Sequence, residues 1–394
     1  MPLSIRRRYA RRDGLVAVRN SCRFSGAASE LGKRVSRPNF EGYWACRGSI
    51  HGTQCLPSQS NVTLLWIHGG AYISGSALAA LVPLLRIAEL AAEQNLSINI
   101  FTLEYSLAPE AKFPTQLTEV TAAYKYLVEE EKIDPDSIFL LGESAGGHLA
   151  LSLAYNLLQQ GLPRPGKVGL LYPWVNLENS GTSFEMNKYK DCLDKGDLDQ
   201  CAEGLVGRDG RSKFADFMNF ASSPPRQALR WSQVLPSTWV IIGGNDVFVS
   251  DVCKFVDEAR KDGVPLDFHM EPRMPHGWLG WYDALAEKRY LQLSPADDAS
   301  CVMPGSELIA EVLCAHGQGR APATARSSCR HSPVRLSTCL SCLRDSALDA
   351  AGNGLPGKTS SWGGTPQTCA SSAGAQSERP SPALSLPPPV GRLR

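Results

Sequence analysis

The pentapeptide Gly142-Glu143-Ser144-Ala145-Gly146 places a serine between two glycines, after the apolar run Ser137 to Leu141 and before the amphipathic stretch Ala145 to Gln159. That pattern is a sharp strand-to-helix turn, which lifts a serine hydroxyl clear of the backbone as a nucleophile. The flanking glycines let neighbouring backbone approach a strained residue without a Cβ clash. A serine hydroxyl is a weak nucleophile near neutral pH, so it needs an imidazole base, and the imidazole needs a carboxylate to fix its tautomer. Downstream, Gly243-Gly244-Asn245-Asp246 follows the apolar run Thr238 to Ile242, and Pro275-His276-Gly277 follows Leu266 to Met270. Both Asp246 and His276 therefore fall on loops after late strands. The competing carboxylates Asp251 and Asp257 fall on the next helix, and the competing His269 falls inside a strand, so Asp246 and His276 are favoured.

Attack on an acyl carbon also needs donors for the oxygen that becomes negative. His68-Gly69-Gly70-Ala71 ends the apolar run Val62 to Ile67 and can present successive backbone N–H groups. The N–H groups of Gly70, Ala71 and Ala145 are the expected oxyanion donors, with Gly69 shaping the turn. His68 is expected to fix that loop by hydrogen bonding rather than to titrate. Tyr72, Trp174, Phe184, Tyr189, Phe217, Phe220 and Trp278 are candidate linings of an apolar pocket.

The elements that must hold these loops read as an α/β fold with a mostly parallel sheet covered by helices on both faces. Strands are expected at Val62 to Ile67, Ile98 to Glu104, Ser137 to Leu141, Val168 to Tyr172, Thr238 to Ile242 and Leu266 to Met270. Helices are expected at Ala79 to Glu93, Thr115 to Lys132, Ala145 to Gln159, Ser250 to Asp262 and Trp278 to Arg289. A catalytic domain is expected over residues 61–293. The polar stretch Asn179 to Trp231 is too long for an ordinary connection and reads as an inserted lid. Residues 1–60 are read as an N-terminal segment with an edge-strand pair and part of a cap, Phe40, Tyr43 and Trp44 packing on the core. From Ser294 to Arg394, Ser, Pro, Gly, Ala, Arg and Cys dominate, and a disordered low-complexity tail is expected.

The chain has 394 residues, 43% hydrophobic and 20% charged, with a formal net charge of +1. That balance argues against nucleic acid as a partner, which needs a basic surplus. No apolar run reaches the roughly 18 residues of a membrane span, and the Arg-rich start lacks a signal-peptide core, so a cytoplasmic protein without stable membrane insertion is expected. The 12 cysteines form no disulfide framework. Cys314 with His316, Cys329 with His331, and Cys339 with Cys342 match no closed zinc spacing. The expected partner is a small hydrophobic ester, with a homodimer left open.

In motif content and in the order Ser144, Asp246, His276, the chain resembles the hormone-sensitive-lipase-like branch of the α/β-hydrolase fold over roughly Val62 to Tyr290. Glu104-Tyr105-Ser106-Leu107-Ala108-Pro109-Glu110 with Phe113-Pro114 is similar to that family's Tyr-Arg-Leu-Ala-Pro-Glu segment, and Tyr172-Pro173-Trp174 to its strand end before the lid. The resemblance implies a serine carboxylesterase acting on short- to medium-chain acyl esters through an acyl-enzyme, without metal or cofactor. The stretch Pro38 to Trp44 is similar to fungal members, including steryl-acetate-hydrolase-like proteins and hydrolases of secondary metabolism. The same residues would also serve an amidase, an acyltransferase or a lactone-forming enzyme, and the family includes non-catalytic ligand receptors that have lost a triad member. Two positions depart from the family pattern: Ala71 where a third glycine is usual, and Glu143 where Asp is more frequent. Glu143 is expected to anchor the loop rather than react.

Overall fold

The computed structural model describes residues 14–27, 29–50, 55–221 and 229–318. Among them, eight strands form one sheet: β1 (Lys33–Arg37), β2 (Phe40–Gly48), β3 (Val62–Ile67), β4 (Ile98–Glu104), β5 (Ile138–Glu143), β6 (Lys167–Leu171), β7 (Ser237–Gly243) and β8 (Leu266–Glu271). The helices that matter here are α1 (Gly14–Arg19), α2 (Leu81–Glu93), α3 (Thr115–Lys125), α4 (Ala145–Gln159), α5 (Lys195–Val206), α6 (Val249–Lys261), α7 (Trp278–Gln292) and α8 (Pro304–Gly317). The α3 helix runs on into a π turn over Tyr126–Glu130.

The sheet order is β1-β2-β4-β3-β5-β6-β7-β8, with β1 and β2 antiparallel to their neighbours and the rest parallel. β3, β5 and β6 read as nearly continuous apolar runs because they are covered on both faces; every residue of β3 and β6 is buried. The terminal strand β8 carries Asp267, His269 and Glu271 and is half-exposed, as suits an edge that must not pair further. From β3 the chain crosses to β4 on one side and later returns to β5 on the other. The carboxyl ends of β3 and β5 therefore flank a topological switch point, where open α/β sheets leave a crevice.

The connection from β6 to β7 holds short helical turns at Ser183–Met186, Gly210–Lys213 and Trp231–Val234 as well as α5. It is pinned at its base: Asn176 bridges to Asn219, and its amide donates to Asp251 Oδ2 at 3.2 Å.

The expectation of a tail without structure from Ser294 is corrected for residues 294–318. The α8 helix buries Ile309, Ala310, Leu313 and Cys314 against α2 and α7. Asp283 caps it, accepting from the Gly305 and Ser306 N–H groups, both at 2.8 Å, and from the Ser306 hydroxyl at 2.6 Å. A buried ionic knot holds the linking segment. Glu89 accepts from Arg23 at 2.9 Å, Arg86 at 3.3 Å and the Tyr290 hydroxyl at 2.6 Å. The two arginines reach on to the carbonyls of Ser294 at 2.9 Å and Ala299 at 3.3 Å. Cys314 is buried in α8, and His316 packs on Phe139 with ring centroids 5.9 Å apart. Cys329, His331, Cys339 and Cys342 lie outside the described residues.

Candidate active site

Ser144 stands at the turn from β5 to α4 with φ 53° and ψ −115°, a conformation L-residues adopt only when their surroundings impose it. Two close approaches do so. A Cβ on Gly146 would lie 2.1 Å from the Ile67 carbonyl oxygen, and one on Gly142 would lie 2.3 Å from that of Gly146. The Ser144 N–H donates to the Leu171 carbonyl at 2.9 Å, tying the turn to β6. The first turn of α4 then directs its free N–H groups and partial positive charge toward the serine.

The loops after β7 and β8 bring the partners in. His276 Nε2 is 2.9 Å from Ser144 Oγ, and His276 Nδ1 is 2.9 Å from Asp246 Oδ2. Asp246 is fully buried, and its other oxygen accepts from the Phe248 N–H at 2.8 Å. Burial alone would disfavour the His276 imidazolium. The Asp246 carboxylate, with help from Asp191 and Glu143, more than offsets it and holds His276 above the usual histidine range. Burial pushes the Asp246 carboxyl up, while the facing imidazole pulls it down.

Gly69, Gly70 and Ala71 lie directly beside the serine, where a Cβ on Gly69 would be 3.2 Å from the Ser144 Cβ. Gly70 has φ 107°, and Ala71 and Tyr72 have φ 52° and 63°, so the alanine at the usual glycine position does carry a left-handed backbone. Ala145 opens α4 next to Ser144. His68 donates from Nδ1 to the Gly69 carbonyl at 2.7 Å and stacks on Tyr105 at 4.1 Å. Burial lowers its pKa to about 4, which keeps it neutral at ordinary pH. Glu143 accepts from the Tyr172 hydroxyl at 3.0 Å and from the Gly69 N–H, bracing the glycine loop.

The rivals stand elsewhere. Asp251 is buried at the base of the insertion, Asp257 is exposed on α6, and His269 on β8 faces Glu271 at 3.3 Å.

Ser144 and His276 open into a cavity of about 750 Å³, also lined by Ile73, Leu193, Leu198 and Trp281. The seven aromatic residues expected to line it do not. Trp174 and Phe220 are in the core, the Tyr72 hydroxyl bonds His148 at 2.7 Å, and Tyr189 is 90% exposed. Composition shows that an aromatic residue is large and apolar, but only the tertiary course of the insertion decides whether it faces the core, solvent or the cavity.

Sequence reasoning found no role for the insertion's Asn187 and Asp191. Asp191 Oδ1 accepts from the His276 N–H at 3.0 Å, and Oδ2 from the Val247 N–H at 2.7 Å. Asn187 donates to the carbonyls of Gly244 at 3.2 Å and Asp246 at 2.9 Å. The one available signal was their i, i+4 spacing in an otherwise polar stretch, which puts both side chains on one face of a helical turn.

A family model described as an alpha/beta hydrolase fold matches residues 64–280. The chain belongs to this family. This α/β hydrolase is similar to an acetyl-hydrolase of Streptomyces hygroscopicus, 31% identical over 233 residues, covering 59% of this chain and 73% of that protein. It is also similar to a solved esterase from the bacterial hormone-sensitive lipase family, with 25% identity and a TM-score of 0.57, covering 73% of this chain and 84% of the other. The fold likewise matches EstE5 soaked with ethyl alcohol, with a TM-score of 0.59 at 22% identity over 80% of this chain and 92% of that one. The α/β hydrolase is thus similar to esterases of the hormone-sensitive lipase family. Among its described residues no helix is long and apolar enough to cross a membrane.

Proposed function

We propose that the protein hydrolyses carboxylic esters of small hydrophobic molecules through an acyl-enzyme on Ser144. The observation that carries this reading is the unbroken hydrogen-bond chain from Ser144 through His276 to Asp246, opening into a cavity with apolar walls. The relatives named acetyl-hydrolase and esterase support the same reaction class.

His276 takes the Ser144 proton as Oγ attacks the ester carbonyl, and Asp246 holds the tautomer and stabilises the imidazolium. The oxyanion is met by the backbone N–H groups of Gly70, Ala71 and Ala145, on the loop that Gly69 shapes and Glu143 braces. His276 returns the proton to the departing alcohol, then activates the water that releases the acid. Apart from the ester and the water, every group in this cycle is a side chain or backbone amide of this chain, and no step calls on a cofactor. Ile73, Leu193, Leu198 and Trp281 give the lining an apolar side that suits a hydrophobic ester, beside the carboxylates Asp194, Asp197 and Glu287.

The test is turnover of p-nitrophenyl acetate, butyrate and octanoate by the full chain beside Ser144→Ala. Chain-length-dependent hydrolysis that the substitution abolishes supports the reading. Equal rates for both proteins, or none for either, overturn it.

A further inference from the structure

Asn187 and Asp191 make four of the side-chain hydrogen bonds that join the insertion to the two loops carrying Asp246 and His276. Asn187 and Asp191 sit on one helical turn, closed by bonds from the Lys190 and Asp191 N–H groups to the Asn187 carbonyl at 2.8 and 3.1 Å. From that turn Asn187 holds the β7 loop by two carbonyls, while Asp191 spans both loops with its two oxygens. Asn187 is buried and Asp191 half-buried. The same carboxylate also accepts from its neighbour's N–H, that of Cys192, at 2.6 Å. Cys192 lines the cavity, with its sulfur 4.0 Å from the His276 carbonyl.

We propose that Asp191, seconded by Asn187, is a positioning residue of the proposed hydrolase: it clamps the Asp246 and His276 loops to each other and to the insertion, so that an ordered insertion and an aligned triad are one state. The inference rests on the esterase reading and adds to it. A carboxylate with both oxygens occupied by N–H groups of two different loops fixes their separation, and so the reach of His276 to Ser144. Asn cannot replace it, because its amide nitrogen would face an N–H. Asp191 also helps to favour the charged imidazole, after Asp246 from the β7 loop and beside Glu143 from the elbow, while the neutral Tyr172 ring packs 4.9 Å away.

The experiment compares the full chain with Asp191→Asn, Asp191→Glu and Asn187→Ala for kcat and KM on p-nitrophenyl butyrate across pH, with thermal melting to confirm folding. Asp191→Asn is expected to lose up to ~100-fold in kcat with little change in KM, as for a reacting group displaced by about 1 Å. Its acid limb should move to lower pH, because one carboxylate near His276 has become neutral. Asn187→Ala should lower kcat without moving the limb, and Asp191→Glu should restore the limb. A folded Asp191→Asn with wild-type kcat and an unmoved limb overturns the proposal. So does a change in KM alone, which would make Asp191 only part of the pocket wall. Should Asp191→Asn fail to fold, Asn187→Ala decides by kcat, and a wild-type kcat in that folded variant overturns the proposal. A wild type inert to ester and to fluorophosphonate alike defeats the hydrolase reading itself, and the clamp with it.

Discussion

The α-carbon of Gly146 lies so near the carbonyl oxygen of Ile67 that a methyl group there would approach it to 2.1 Å. This contact locks the nucleophile turn onto the end of β3 and sets Ser144 beside the Gly69 to Ala71 loop. The obstacle is backbone on both sides and cannot rotate away. Gly146→Ala is therefore expected to cost about 3 kcal/mol, the upper end of overpacking, and to misplace the serine. Thermal melting together with p-nitrophenyl butyrate turnover checks it; a melting point and rate equal to wild type would mean the turn has slack that the contact denies.

Ala71 offers the opposite test. Its φ of 52° puts a non-glycine residue in the left-handed region, at a cost of about 1–2 kcal/mol. Glycine's greater freedom in the unfolded chain takes back roughly 0.5–1 kcal/mol. Ala71→Gly is thus expected to raise stability by up to about 1.5 kcal/mol with esterase activity retained, as read from chemical denaturation and steady-state rates. A destabilised Ala71→Gly would show that the alanine methyl contributes packing worth more than the backbone strain.

The base must be neutral to accept the Ser144 proton, so kcat/KM should rise with pH through the His276 pKa. The surrounding carboxylates hold that pKa above the usual value of about 6.5, which places the acid limb on the alkaline side of that figure. Asp246→Asn should cost up to ~10⁴-fold in kcat by stabilising the wrong tautomer. His68, held neutral by burial, should leave no inflection of its own near pH 6. A pH–rate profile with its limb below 6.5 would contradict the electrostatic arrangement.

How far the sequence disclosed all this depends on the range of the forces involved. The spans of β3, β4 and α4 read directly from apolar runs and from the elbow motif, because strands covered on both faces and a glycine-bracketed turn leave local signatures. Asp246 and His276 were legible for the same reason, each following a strand at a glycine-rich loop. Asp191 was not, since its partners are 56 and 85 residues away and backbone amides have no sequence code. The α8 helix was missed because its pattern, Leu308 and Ile309 then Val312 and Leu313, covers only 14 residues of a long polar segment. What orders it is remote: Asp283 at its start and α2 beneath it.

That remote capping makes its own prediction. Asp283→Ala removes an acceptor of three hydrogen bonds and leaves the first turn of α8 without a cap, a loss of about 2 kcal/mol. Limited proteolysis should then cut between residues 294 and 304 faster than in wild type. Unchanged cleavage would show that apolar burial alone docks the helix.

Intact-mass analysis after treatment with a fluorophosphonate tests the central claim most directly, because it asks whether Ser144 is an activated nucleophile without requiring the natural ester. One adduct per chain, mapped to Ser144, absent from Ser144→Ala and slowed in His276→Ala, is the expected result. A folded wild-type protein that takes up no label, or takes it up at another residue, would contradict it.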